Sequence, residues 1–469
     1  MTTDQAVTVH DSTLPATHPA AGILRRPYLW VTIGACALVF LAAFESLAVT
    51  TIMPLVSREL DGASLYALAF AGPLATGVIG MVAAGNWSDR RGPAVPLYSS
   101  VVLFVLGLLI AGTAASMPVL VAGRLVQGLG GGAMTVALYV VVARVYPALL
   151  HPKIFAAFSA AWVIPSLIGP FAAGILAQAL SWHWVFLGVV GLVIPALVMI
   201  VPVLRGMAGE QKGGSGAAKP PWAVGRMGWA ALAALAVLGL NLSAEVRIPG
   251  VPAAAAVLAV AAVAIALAAV RPLVPRGTLT SRRGLPTVIL TRGLASAAFF
   301  GAEVYLPYLL IEQYSFPATF AGLTLTGGAL AWAGASAIQG RLGTRLSHGA
   351  AVQIGSVLVL GAIVLALATT ALNWSAAVAI AGWIFAGGGM GLLYPRLSVM
   401  TLALSAKEDQ GFNSSAMSIS DSLGGALALA TTGIVFAAFT TTAASFTGVF
   451  ALAAVLAAVS VAVAPRVSP

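Results

Sequence analysis

The chain has 469 residues, of which 60% are hydrophobic and only 8% charged, and its mean hydropathy is +1.01. A typical soluble domain is about a quarter charged, so the composition excludes a water-soluble enzyme, a disordered protein and a disulfide-stapled secreted scaffold. The net charge of +10 is scattered through short gaps between apolar runs. It is not gathered on one helix with interleaved aromatics, which argues against a nucleic-acid partner and for a bilayer.

Residues 1–28 read as a cytoplasmic tail, because their polar start has no basic segment followed by a short apolar core. The runs that follow are about 20 residues long, the length of an α-helix crossing a hydrocarbon core about 30 Å thick. Fourteen spans are expected, at 29–53, 64–84, 95–115, 118–143, 154–180, 183–204, 227–243, 250–270, 286–311, 317–338, 349–371, 373–396, 411–438 and 443–464. An even count puts both termini on one side, and charge chooses it. Alternate gaps hold Arg25 and Arg26, Arg90 and Arg91, Arg144 and Lys153, and Arg205 with Lys212, Lys219 and Arg226. The same side holds Arg271, Arg276, Arg282 and Arg283, then Arg341 and Arg345, Arg396 and Lys407, and Arg466; the other side holds only Arg58 and Arg247. Both termini are therefore expected in the cytoplasm.

The stretch 205–226, with Gly213-Gly214-Ser215-Gly216 and Pro220-Pro221, reads as a flexible linker. A second basic gap covers 271–285. These divide the chain into a six-span bundle (29–204), a helix pair (227–270), a second six-span bundle (286–464) and a short tail (465–469). Two sixes suggest an internal repeat, with the Ala-, Val- and Leu-rich pair packed outside the working core.

The gap after the second span reads Gly85-Asn86-Trp87-Ser88-Asp89-Arg90-Arg91-Gly92. Its glycines permit a tight turn, and Asp89 can pair with Arg90, Arg91 or a neighbouring helix end. This loop resembles the signature loop of the major facilitator superfamily. It departs at Pro93 and Ala94, where the family carries further basic residues. The corresponding gap of the second half, Gly340-Arg341-Leu342-Gly343-Thr344-Arg345, is a copy without the acid.

Arg124 and Gln127 share a face of the fourth span, and Gly128 and Gly132 form a ridge for close helix approach. An arginine at this depth must face the protein interior. The segment resembles the superfamily's fourth-helix motif, whose arginine assists proton movement; a structural arginine bonded to carbonyls is the other reading. In the fifth span, Pro165, Gly169, Pro170, Ala173 and Gly174 resemble the antiporter motif of drug exporters, with departures at Pro165 and Ala173. The residues themselves predict a kinked, closely packed helix. Trp182-His183-Trp184 reads as an interface anchor.

Of the acids, only Glu45, Glu303 and Asp421 lie well inside apolar runs. Burial that disfavours a charged carboxylate suits either a proton carrier or a permanently protonated hydrogen-bond donor. Glu303 shares a stripe with Arg292, Ser296 and Phe299, lies about 16 Å from Arg292 along the axis, and is followed by Tyr305 and Tyr308. It is the preferred acid for coupling or cation binding, ahead of Glu45 and then Asp421.

Five scattered His and one Cys offer no metal-site spacing, the lone Cys36 forms no intrachain disulfide, and no Ser-His-Asp arrangement stands out. The glycine-rich run 387–391 lacks the lysine of a phosphate loop. No cofactor and no enzymatic activity are expected.

Taken together, the motifs and the six-two-six count resemble a fourteen-span drug:proton antiporter of the major facilitator superfamily. The resemblance implies an all-α membrane fold of two six-helix bundles plus two extra helices, in a bacterial inner membrane. It implies export of an amphipathic drug or natural product against inward proton flow by alternating access. The buried acids would suit a cationic cargo. A lipid or glycolipid flippase of the same fold is the alternative, and a non-transporting receptor or scaffold a weaker one. The sequence leaves the cargo and the oligomeric state open.

Overall fold

The computed structural model describes residues 22–62, 65–213, 223–243, 254–316, 318–342 and 345–468. Most of the N-terminal tail, the Gly214–Gly216 and Pro220-Pro221 parts of the first linker, Lys219, Arg247 and Gly343 lie outside the described residues. The described residues form helices joined by short turns, with no strand among them. The helices are α1 (Leu29–Glu59), α2 (Tyr66–Arg91), α3 (Ala94–Gly112), α4 (Met117–Val145), α5 (His151–Ala179), α6 (His183–Gly213), α7 (Val224–Ser243) and α8 (Ala254–Val270). They continue with α9 (Leu285–Glu303), α10 (Tyr305–Glu312), α11 (Ala318–Leu342), α12 (His348–Ala371), α13 (Ala376–Ala403), α14 (Gln410–Ala438) and α15 (Thr442–Val463).

Among the described residues, 11 helical stretches are long and apolar enough to cross a membrane. The expected fourteen differ from these at α7, α8 and α11; Val224–Leu240 and Val257–Leu273 are apolar but shorter. The expected ninth span, 286–311, is one of the eleven, as Leu285–Glu312. It is interrupted at Val304, where α9 gives way to α10. The cause is Pro307, which has no N–H for the carbonyl of Glu303 and whose ring crowds that carbonyl. Several helices overrun their expected ends. Arg396, expected in a basic gap, lies inside α13 with only 1% of its surface exposed. Its guanidinium donates to the Gln339 carbonyl at 3.2 Å and lies 3.3 Å from His348 Nδ1.

Of five apolar clusters among the described residues, three are large. One joins α1, α3, α4, α5 and α6 and takes in Ala69 of α2 and Val399 and Leu402 of α13. A second joins α9, α10, α12, α13 and α15. The third joins α2 and α4 to α7, α8, α9 and α14, so the accessory pair lies against α2 and α14, on the flank of both halves. Within each half one helix crosses its neighbour backbone to backbone. A Cβ on Gly132 of α4 would run into the Gly77 carbonyl of α2, and one on Gly387 of α13 would run into the Gly328 carbonyl of α11. Only glycine permits such approach, and the two crossings occupy equivalent places in the two halves.

Candidate functional site

In the first half, α1 and α4 bring together Glu45, Arg124 and Gln127, which are 3%, 6% and 3% exposed. Arg124 Nη1 forms an ion pair with Glu45 Oε1 and donates to Gln127 Oε1 at 2.7 Å. Its Nε donates to the Ala69 carbonyl of α2 at 3.2 Å. The arginine therefore has both a carboxylate and a carbonyl partner, so the two sequence readings of its role are both represented in its contacts. Removing these charges from water is costly, and the fork geometry of the guanidinium offsets that cost by matching acceptors in three directions.

In the second half, α9, α13 and α14 converge on Asp421. Arg292 Nε donates to Asp421 Oδ1 at 3.0 Å and Nη2 to Oδ2 at 3.3 Å. The Tyr394 hydroxyl donates to Oδ1 at 2.7 Å. Arg292 Nη1 also donates to the Tyr394 carbonyl at 3.2 Å and to Ser398 Oγ at 3.3 Å, and its guanidinium lies 3.5 Å from the centre of the Tyr394 ring. Ser296 Oγ donates to the Asp421 carbonyl at 2.8 Å. From the other half, the Tyr139 hydroxyl of α4 faces Arg292 and Ser398. Unlike the first pair, this one is unevenly sealed, with side-chain exposures of 9% for Arg292 and 26% for Asp421.

Glu303 joins neither cluster. It is partly buried at the end of α9, and its carboxyl has no ion pair or side-chain hydrogen bond among the described residues. Tyr305 and Tyr308 pack on Phe436 at 5.3 and 5.4 Å between ring centres, and Tyr308 also on Phe446. The stripe of Arg292, Ser296 and Phe299 is buried and turned toward α13 and α14, so the polar face expected to line a cavity is mostly a packed one.

The signature loop forms the junction between the halves. Asp89, in the last turn of α2, accepts from the backbone N–H of Gly411 at 2.6 Å and of Phe412 at 2.8 Å. Those amides belong to the open first turn of α14, where a carboxylate meets unsatisfied donors and the positive end of the helix dipole. The approach requires glycine on both sides. A Cβ on Gly85 would lie 2.6 Å from the Gly411 carbonyl, and one on Gly411 would run into the Gly85 carbonyl. Gly92 leaves α2 in the left-handed region with φ of 72°, and Arg90 lies beside Asp89 in the same turn. The same corner holds the start of α7: the Arg226 guanidinium is 4.1 Å from the Phe412 ring centre, and Ala223 N donates to Asn86 Oδ1 at 3.4 Å. At this end too, a Cβ on Gly340 of α11 would lie 3.5 Å from Ala156 of α5.

The fifth-span motif is looser than expected. The helix runs on through Pro170, a Cβ on Gly169 would meet Leu47 at an ordinary 3.7 Å, and one on Gly174 would meet nothing within 4 Å. Trp182 packs inside the protein in the turn between α5 and α6. It is 2% exposed, stacked on His183 and edge-on to Phe186, while Trp184 is 50% exposed. Three residues absent from the sequence reading complete the Asp421 site: Tyr139, Tyr394 and Ser398; Arg396, expected in a basic gap, is instead buried. The signal available for Arg396 was its position inside an apolar run that continues to Ala403. Among the described residues no three His, Cys, Asp or Glu side chains gather to hold a metal.

Helices with paired glycine crossings, buried ion pairs in each half and a charged turn tying the halves together make up a multi-pass membrane protein of the transporter type. The chain belongs to the major facilitator superfamily, whose family model matches residues 35–429. It is 35% identical over 149 residues to an uncharacterized transporter of Schizosaccharomyces pombe; the match covers 32% of this chain and spans only 25% of that protein. It is 27% identical over 385 residues to a probable multidrug-efflux transporter of Mycobacterium tuberculosis, covering 80% of each chain. The fold matches the crystal structure of the human organic anion transporter MFSD10 (TETRAN) with a TM-score of 0.66 at 15% identity, over 94% of this chain and 100% of that one.

Proposed function

We propose that this protein is a proton-coupled exporter of amphipathic, cationic drugs or natural products, working by alternating access. The observation that carries the reading is the Asp421 cluster. A carboxylate held by Arg292 and Tyr394, 26% exposed and facing a tyrosine of the other half, is suited to exchange a proton. Protonation of Asp421 frees Arg292 to bond elsewhere, so the charge state and the packing of the halves change together. The resemblance to the mycobacterial efflux transporter supports export of drugs. Glu303, with no partner of its own, is the second acid of the coupling path, and Glu45 with Arg124 and Gln127 ties α1 to α4.

In this reading α7, α8 and α11 also cross the bilayer. That gives fourteen spans with linkers at 205–226 and 271–285, both termini in the cytoplasm of a bacterial cell, and Asp89 at the cytoplasmic face. The contacts between halves described above lie toward the Asp89 end, so the conformer is one closed to the cytoplasm. Asp89, Arg90, Gly85 and Gly92 gate that face, and Gly169, Pro170 and Gly174 mark the helix along which the halves rock.

The test uses protein reconstituted in vesicles under an imposed proton gradient, with a lipophilic cationic dye as cargo. The wild type is expected to move dye, and Asp421→Asn to abolish gradient-driven movement while remaining folded, with a partial loss in Glu303→Gln. Dye movement that ignores the gradient overturns the coupling. A fluorescent lipid crossing between leaflets while dye stays put would replace drug export with lipid transport.

A further inference from the structure

Helix α8 packs chiefly on α7 and leaves a gap toward α9 and α15. The gap is a cavity of about 330 Å³ between α8, α9, α14, α15 and the turn that joins α8 to α9. Its walls are almost wholly apolar, with Leu267, Leu294, Ala297 and Leu456 among them, and the turn contributes Thr278 and Leu279. Leu267 and Leu279 are 44% and 41% exposed, so the cavity opens to the surroundings.

The mouth of the cavity is unlike its walls. The turn is tightly folded: Thr278 N donates to the Pro275 carbonyl at 3.2 Å, Ser281 N to the Thr278 carbonyl at 3.1 Å and Arg282 N to the Gly277 carbonyl at 3.0 Å. The residues that line the cavity are thus fixed beside Arg276 and Arg282. Both arginines are exposed, make no ion pair among the described residues, and have no acid anywhere in 271–284. Arg283 follows directly, and Arg466 reaches the same turn by donating to Ser281 Oγ at 2.7 Å. An apolar slot whose lining turn also carries an acid-free run of exposed arginines matches a ligand with a long hydrocarbon tail and a phosphate head.

We propose that this cavity is a binding site for an anionic phospholipid. One acyl chain lies between α8, α9 and α14, and the phosphate is held by Arg276 and Arg282. The site adjoins α14, which carries both Asp421 and the amides that meet Asp89, so the lipid fills the seam between the accessory pair and a moving helix.

The experiment is native mass spectrometry of the full chain, delipidated in detergent and offered equimolar dioleoyl-phosphatidylglycerol and dioleoyl-phosphatidylcholine. Retention of the anionic lipid is expected to exceed that of the zwitterionic one on the order of tenfold. The surface substitution Arg276→Gln with Arg282→Gln should bring the ratio to about one. Ala297→Trp, which fills the slot, should lower retention of both lipids while the melting temperature stays within a few degrees. Glycerol phosphate at the same concentration should displace neither. Equal retention of the two lipids by the wild type, a preference that survives the double substitution, or displacement by glycerol phosphate alone would overturn the proposal.

Discussion

The Glu45–Arg124 and Arg292–Asp421 pairs use the same two groups and differ in closure. The first lies within one half, with side-chain exposures of 7% for Arg124 and 4% for Glu45, and its arginine is shared among Glu45, Gln127 and a backbone carbonyl. The second leaves Asp421 26% exposed and has Tyr139 of the opposite half beside it. On the proposed reading the sealed pair is a tie between helices, and the pair with one partner at the boundary between the halves is the one that exchanges a proton. The difference teaches that depth in an apolar run does not by itself set how closed a buried acid is; the neighbours do.

The largest test of that contrast is at the sealed pair. Glu45→Ala leaves a buried guanidinium short of its counter-charge, and a loss of about 3–5 kcal/mol is expected, read as a large fall in melting temperature in detergent. Replacing Glu45 and Arg124 together by apolar residues of similar size should recover most of it. If Glu45→Ala melts like the wild type, the tie is not one.

At the boundary pair, Asp421→Asn should cost less, about 2 kcal/mol, because Arg292 keeps the Tyr394 carbonyl and Ser398. Its main effect should fall on proton-driven transport. The reverse order of stability losses would erase the distinction between the pairs.

Asp89→Asn tests the junction. It keeps acceptor geometry on one oxygen and removes the charge facing the α14 amides, a loss of about 1 kcal/mol. Paired spin labels on α2 and α14 should show a roughly fivefold shift of population away from the closed end. An unchanged distance distribution would mean the crossing at Gly85 and Gly411 suffices without the charge.

The smallest expected effect is Tyr394→Phe, which removes one hydrogen bond from Asp421 and leaves the ring under Arg292. About 1 kcal/mol or less is expected, read as a melting temperature within a few degrees of the wild type. A larger fall than that of Asp421→Asn would contradict the geometry.

Much of this was legible in the sequence, for local reasons. Apolar runs define helices such as α3, α4 and α12, but the expected tight loop Gly85–Gly92 is helical as far as Arg91, and the chain leaves α2 only at Gly92; the residue types announce the charge of this corner and not its conformation. The partners of Asp421 were not legible. Arg292 lies 129 positions away in the chain, and no period or spacing records a contact made by helices meeting from opposite ends of a domain. The division of α9 from α10 was missed because Pro307 acts on the carbonyl of Glu303, four residues upstream, within a run that is apolar on both sides. Arg396 was misplaced for a related reason. A helix that continues past its apolar window carries a cation into the protein, and its compensating groups, the Gln339 carbonyl and His348, belong to other helices.

The glycine crossings of α4 on α2 and of α13 on α11 have a mechanical consequence. Where backbone meets backbone there are no rotamers to reset, so such a seam has few ways to slide and resists shear. On the alternating-access reading each half would move as a stiff lever, with displacement concentrated where the contact is made of side chains and charge, at the corner of Asp89 and around Asp421. Distance probes placed across Gly77 and Gly132, or across Gly328 and Gly387, should report the same separation in every stage of the cycle. They can serve as fixed rulers against which the rest of the motion is measured.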